Sequence, residues 1–116
     1  MEEQNIQFRN PIIAKGRQLW ATRRVDIMAK SFTYTFEDES AENTLTFECS
    51  DSEHLKLNVE DGVAVLYATK AALNTLARIF AKMSMSDYKD GFHLHVNEDF
   101  DSERPEALRV VIDEEL

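Results

Sequence analysis

The chain has 116 residues, 43% of them hydrophobic and 9% aromatic, a composition that suits one globular domain with its own core and not a disordered protein. Its 22 Asp and Glu against 13 Lys and Arg leave a net charge of −9, which argues against direct binding to nucleic acid or to an anionic membrane. Cys49 is the only cysteine, so neither an internal disulfide nor a zinc site built on two or more cysteines can form.

The charge is unevenly spread. Residues 1–30 hold six basic side chains and three acidic ones, about +3, which leaves −12 for residues 31–116. The opening stretch MEEQNIQFRN has no basic segment followed by an apolar run, and no stretch approaches the ~20 apolar residues of a membrane helix. The expectation is a soluble, cytoplasmic protein forming a single domain over 1–116, in which residues 1–30 are part of the sheet, an edge element or an arm.

In chain order, Pro11 and Gly16 bracket a short apolar stretch, and Val25, Ile27 and Ala29 alternate in a way that leans towards a strand. In SFTYTFED, Phe32, Tyr34 and Phe36 alternate with polar residues, the pattern of a half-buried strand. ESAEN reads as a polar turn. In TLTFECSD, Leu45, Phe47 and Cys49 share one side, which predicts a strand with Cys49 in the core rather than a reactive thiol. HLKLNVE repeats the alternation with Leu55, Leu57 and Val59 inward. Asp61-Gly62 then predicts a tight hairpin turn, and VAVLYA a strand covered on both faces.

A helix follows. Thr69 is its expected N-cap, and Leu73, Leu76, Ala77, Phe80 and Met83 fall on one stripe, with Asn74, Arg78 and Lys82 on the opposite face. The helix is expected to end near Ser84–Ser86, with Gly91 as the breaker. FHLHV is a strand, EDFDSERPE an acidic loop ended by Pro105, and ALRVVIDEEL a last strand. The predicted fold class is α+β: two layers, an antiparallel sheet with one long helix packed on one face.

DGFHLHVNED, residues 90–99, raises the question of chemistry. Strand alternation turns Phe92, Leu94 and Val96 inward and His93 and His95 outward. Two imidazoles at i and i+2 can begin a metal site, but zinc asks for a third protein ligand, and His54 is the only other histidine. Asp99, Asp101 and Glu103 alternate oxygens as a calcium loop does, without the glycine and length of such a loop. Cys49 and His54 are read on opposite faces, which disfavours a thiolate–imidazole pair. With three glycines in the chain, no phosphate-cradling loop is visible. The expectation is a non-enzyme with no cofactor and no metal. His93, His95, Glu98, Asp99, Asp101 and Glu103 are the candidate partner-binding surface.

The sequence DGVAVLYATKAALNTLARIFAKMS, followed by DGFHLHVNEDFD and ALRVVIDEE, resembles a family of bacterial immunity proteins from polymorphic toxin systems. The likeness covers residues 61–113. Leu73, Leu76, Ala77, Phe80 and Ala81 stand at the helix's apolar positions. Gly91, His93, His95 and Val96 stand on the His-x-His strand, and Ala107, Leu108, Val110 and Ile112 on the last strand. Ala72 takes the place of a glycine in that pattern, and Asn97-Glu98 that of an acidic-proline step. The resemblance implies an inhibitor that neutralises a toxin domain by binding, without catalysis, and the acidic balance suits a basic partner. Three alternatives stand beside it: a nucleic-acid mimic that inhibits a DNA-binding protein, a metal-dependent enzyme centred on His93 and His95, and an accessory or structural protein, with a homodimer through an edge strand left open.

Overall fold

The computed structural model describes residues 27–116. Contacts divide the chain into two units, Met1–Thr33 and Tyr34–Leu116. The expectations placed on residues 1–26 lie outside the described residues, and 27–33 carry no helix or strand. Among the described residues, the second unit holds the regular elements: β1 (Leu55–Glu60), β2 (Val63–Ala68), α1 (Lys70–Met85), β3 (His93–Asn97) and β4 (Glu106–Val111), with 3-10 turns at Ser40–Glu42 and Glu98–Phe100. The class is α+β, as the sequence predicts, but the strands form two antiparallel pairs, β1–β2 and β3–β4, not one continuous ladder.

Hairpin β1–β2 is built by its turn. Asp61 (φ 54°) and Gly62 (φ 78°) both sit in the left-handed region, the pair of conformations that a two-residue hairpin turn needs. The register runs without a shift from Glu60↔Val63 to Leu55↔Ala68. Leu55, Leu57, Val59, Ala64, Leu66 and Ala68 therefore share one face, of which Leu55 is buried at the base while Val59, near the tip, is 71% exposed. β2 is not the doubly covered strand expected from its apolar sequence: Val63 is 59% exposed and Tyr67 is also open. Tyr67 lies between Lys56, whose amine is 5.6 Å from the ring centroid, and Glu60, which accepts its hydroxyl at 2.6 Å. Those two neighbours let an aromatic ring occupy the outer face.

α1 starts as predicted. The Thr69 hydroxyl accepts from the Ala72 N–H at 3.2 Å, and the segment 70–85 contains neither Gly nor Pro. Its C-cap is Ser86, in an extended conformation. The buried stripe is rotated from the expected one. Ala72, Thr75, Leu76, Ile79, Lys82 and Met83 are buried, while Leu73 is 50% and Phe80 44% exposed. Two polar residues, Thr75 and Lys82, enter the buried face because partners await them there.

Those partners come from the segment before β1. Residues 44–49, predicted as a strand, are in no ladder. Leu45 and Phe47 do pack against the core, so the alternation is real. The carbonyl of Thr44 accepts the Tyr88 hydroxyl, that of Thr46 the Lys82 amine at 2.6 Å, and that of Glu48 the Arg78 guanidinium at 3.5 Å. The segment is thus an extended chain whose every second carbonyl is bonded by a side chain rather than by a neighbouring strand. Glu53 joins it to the helix from the other end: its buried carboxylate takes the Thr75 hydroxyl and the Ser50 N–H (2.8 Å). Cys49 is exposed, not a core residue, because the strand-like alternation ends at Phe47. Desolvation, then the Glu53 and Asp51 carboxylates, push its thiol above the ordinary value, which keeps it protonated. The Phe32–Phe36 segment is likewise in no ladder; the rings of Tyr34 and Phe36 stack at 5.3 Å. ESAEN is the turn expected, a 3-10 turn closed by Asn43 in the left-handed region.

The core is the contact of α1 with the inner faces of both hairpins. Ala72, Leu76, Ile79 and Met83 meet Leu55 and Val96, with Leu94, Leu108 and Val110 packed around them. β1 lies beside β4 and the 98–100 turn, so the outer strands are β2 and β3.

Candidate functional site

The outward face of β3 is as alternation predicts. Val96 is 1% exposed and Phe92 and Leu94 are half-buried, while His93 and His95 face solvent. Antiparallel pairing sets His93 opposite Val111 and His95 opposite Arg109. The two imidazoles meet edge to face, centroids 5.1 Å apart. Their other partners differ. His93 Nδ1 lies 3.2 Å from the Gly91 carbonyl, whereas His95 Nδ1 lies 2.7 Å from Glu106 Oε2.

Glu106 is the centre of this face. Besides His95 it takes Arg109 twice, Nε to Oε2 at 3.0 Å and Nη2 to Oε1 at 2.8 Å. Arg109, then His95, hold its carboxyl down to about 2. Glu106 raises Arg109 in return. The face is therefore mixed in charge, not purely acidic.

The loop joining β3 to β4 is folded on itself. A register shift falls between Val96 and Asn97, and Asp99 (φ 56°) and Phe100 (φ 53°) sit in the left-handed region. Asp99 uses its position fully. Its Oδ1 accepts the Leu55 N–H at 2.9 Å and lies 3.4 Å from His54 Nδ1, while Oδ2 takes Arg104 at 3.3 Å. Desolvation works to raise this carboxyl, but the Leu55 N–H, His54 and Arg104 together hold it below its ordinary value. Arg104 also binds Glu98 at 2.8 Å. Asn97 donates to the Arg104 carbonyl at 2.7 Å, and the Glu98 N–H reaches the Pro105 carbonyl at 2.8 Å. Phe100 turns inward and meets Phe47 edge to face, centroids 5.6 Å apart.

Of the six residues singled out in sequence, the structure thus brings Glu98 and Asp99 together on Arg104, and His93 and His95 together on β3. Asp101 and Glu103 lie at the exposed tip, where Asp101 Oδ1 accepts the Glu103 N–H at 2.9 Å. Sequence reasoning missed Arg104, Glu106 and Arg109, the residues that bond Glu98, Asp99 and His95. The signal for Arg109 was the cross-strand register, and the shift at Val96/Asn97 hides that register from any count of residues. His54 was noticed but not placed; it joins Asp99 and lines a surface cavity of about 280 Å³ with Lys56, Tyr67, Thr69 and Arg104.

Among the described residues no three His, Cys, Asp or Glu side chains converge as metal ligands would. The Asp99 carboxylate is committed to Leu55, His54 and Arg104, and one oxygen of Asp101 to Glu103, which leaves the calcium reading without a ligand set. No described helix is long and apolar enough to cross a membrane. No family model, curated protein or solved structure matches the chain.

Proposed function

We propose that this protein is a binding protein: a cytoplasmic, immunity-type inhibitor that neutralises a basic toxin domain, as its sequence resemblance implies, and not an enzyme. The observation that carries the reading is the fate of the few basic side chains. Residues 31–116 hold seven Lys and Arg against 19 Asp and Glu. Arg78 and Lys82 are turned to backbone carbonyls and the Thr75 hydroxyl, Arg104 to Glu98 and Asp99, and Arg109 to Glu106. These four cations are paired within the chain, which leaves Lys56, Lys70 and Lys89 against a large excess of carboxylates. The field of such an excess speeds encounter with a cationic partner and falls off with salt. The carboxylates cluster in turns, at 37–42, 98–103 and 113–115, rather than in the evenly spaced rows that a nucleic-acid mimic would present.

Within this reading the 98–103 tip and the β3 face form the contact surface. Asp101 and Glu103 supply steering, and His93 and His95 supply a rigid, paired aromatic contact. The test is co-expression with the toxin domain encoded beside the gene. Growth arrest by the domain alone, rescue by this chain and co-purification of the pair are the expected results. Toxicity without rescue and without a complex would sink the reading. Replacing Asp101 and Glu103 by Lys is expected to slow association at low salt by about tenfold and to leave dissociation nearly unchanged.

A further inference from the structure

We infer that the open edge of β2 is a docking edge for a second copy of this chain, pairing antiparallel with its own counterpart so that one sheet runs through two molecules. The inference stands apart from the proposed inhibitor function.

The first part of the argument is which backbone groups are open. The two-residue turn makes Glu60↔Val63 the closing pair of the hairpin, and pairs alternate between bonded and non-bonded along an antiparallel ladder. At the other end the Thr69 N–H donates to the His54 carbonyl at 2.9 Å, which fixes the same parity. Odd-numbered residues of β2 therefore bond towards β1. The N–H and C=O groups of Ala64, Leu66 and Ala68 point to the opposite edge, where no strand pairs among the described residues.

The second part is what protects an edge, and its absence here. Natural edges are guarded by charge, Pro, a bulge or shortness. β3, the other outer strand, has a register shift and two histidines. β2 is VAVLYA: six residues with no charge, no Pro, no Gly and an unbroken register. Val63 and Leu66 on it are exposed. Such a strand is a template for pairing.

The third part selects the occupant. Two copies of net charge −9 repel over most of their surface, so they can approach only where charge is absent or complementary. β2 meets both conditions. Glu60 and Asp61 lie just before it and Lys70 just after it. Antiparallel self-pairing centred on Leu66 lets the two Leu66 residues exchange both backbone hydrogen bonds and sets Ala64 against Ala68. It also brings Lys70 of each copy to the Asp61-Gly62 turn of the other, an unlike pair at both ends. Parallel pairing would set Lys70 beside Lys70. The edge is thus self-complementary in charge, in hydrogen bonding and in side-chain size.

Sedimentation velocity on the full chain, over a dilution series into the high micromolar range, is the test. The expected result is a reversible monomer–dimer equilibrium, with amide exchange at Ala64 and Leu66 slowed in the concentrated samples. Leu66→Pro removes an N–H that points away from β1, so the β1–β2 ladder is kept and the dimer lost. Lys70→Glu places an acid at the first turn of α1, which favours the helix, yet sets like charges together at both ends of the interface. It should weaken the dimer by about fivefold or more, while Lys70→Arg leaves it unchanged. A monomer at every concentration overturns the inference. So does a dimer that is insensitive to Lys70→Glu, or one in which the Ala64 and Leu66 amides gain no protection.

Discussion

Hairpin β1–β2 turns through two residues, Asp61 and Gly62, while β3–β4 turns through the eight residues Glu98 to Pro105. The short hairpin has an unbroken register and an apolar face buried only at its base, at Leu55. The long one has a shifted register, but Leu94, Val96, Leu108 and Val110 pack along the core. One is specified locally, by two left-handed turn residues that match the strands' twist. The other is specified by burial, and its irregular loop is closed by Arg104, Asn97 and Asp99. A hairpin held by its turn can leave its tip and outer edge free for contact. A hairpin held by its core can carry a strained, polar loop at one end.

The sharpest test of this contrast is a matched truncation. Val96→Ala in β3 should cost about 2 kcal/mol, since it empties a fully buried site. Val59→Ala, near the tip of the first hairpin, should stay within about 0.5 kcal/mol. Denaturant melts of the two variants check this, and equal losses would break the comparison. Next in size is the side-chain-held segment 44–49. Lys82→Met keeps the buried stem but removes the donor to the Thr46 carbonyl, for a loss of about 1.5 kcal/mol by the same melts. Gly62→Ala comes next. A methyl group there meets open space, so its cost, about 1 kcal/mol, is conformational alone. It should leave the chemical shifts of β3–β4 unmoved.

The smallest effect is electrostatic and sits on the second hairpin. The Glu106 carboxyl is held at about 2 against an ordinary 4.5. A depressed carboxylate stabilises the fold fully above its unfolded value, so the contribution of Glu106 is complete above about pH 4.5 and is lost as pH falls towards 2. Carboxyl NMR titration should find it there, and Arg109→Ala should move it up towards the ordinary value. No change on losing Arg109 would remove the guanidinium as the main cause.

The elements with a local cause were legible in the sequence. Thr69 as N-cap, Asp61-Gly62 as a turn and the inward Phe92, Leu94 and Val96 each follow from residue chemistry within a few positions. The misreadings share a different cause. Alternation in TLTFECSD reports which side chains turn inward, but not what bonds the backbone, and here the donors are Arg78, Lys82 and Tyr88, between thirty and forty-four positions away. The helix holds two overlapping stripes, and tertiary partners for Thr75 and Lys82 chose between them. The candidate surface was half legible. Its histidines follow from period two, while Glu106 and Arg109 depend on a register that the shift after Val96 conceals.

The segment 44–49 also sets how the molecule opens. The donors to its carbonyls come from α1 and from Tyr88 just after it, and none comes from a strand. It is a latch on one helix, and releasing it breaks no rung of either hairpin. Such a unit opens at a free energy below that of global unfolding. Release of this segment would draw Phe47 away from Phe100 and uncover the side of α1 that carries Arg78 and Lys82.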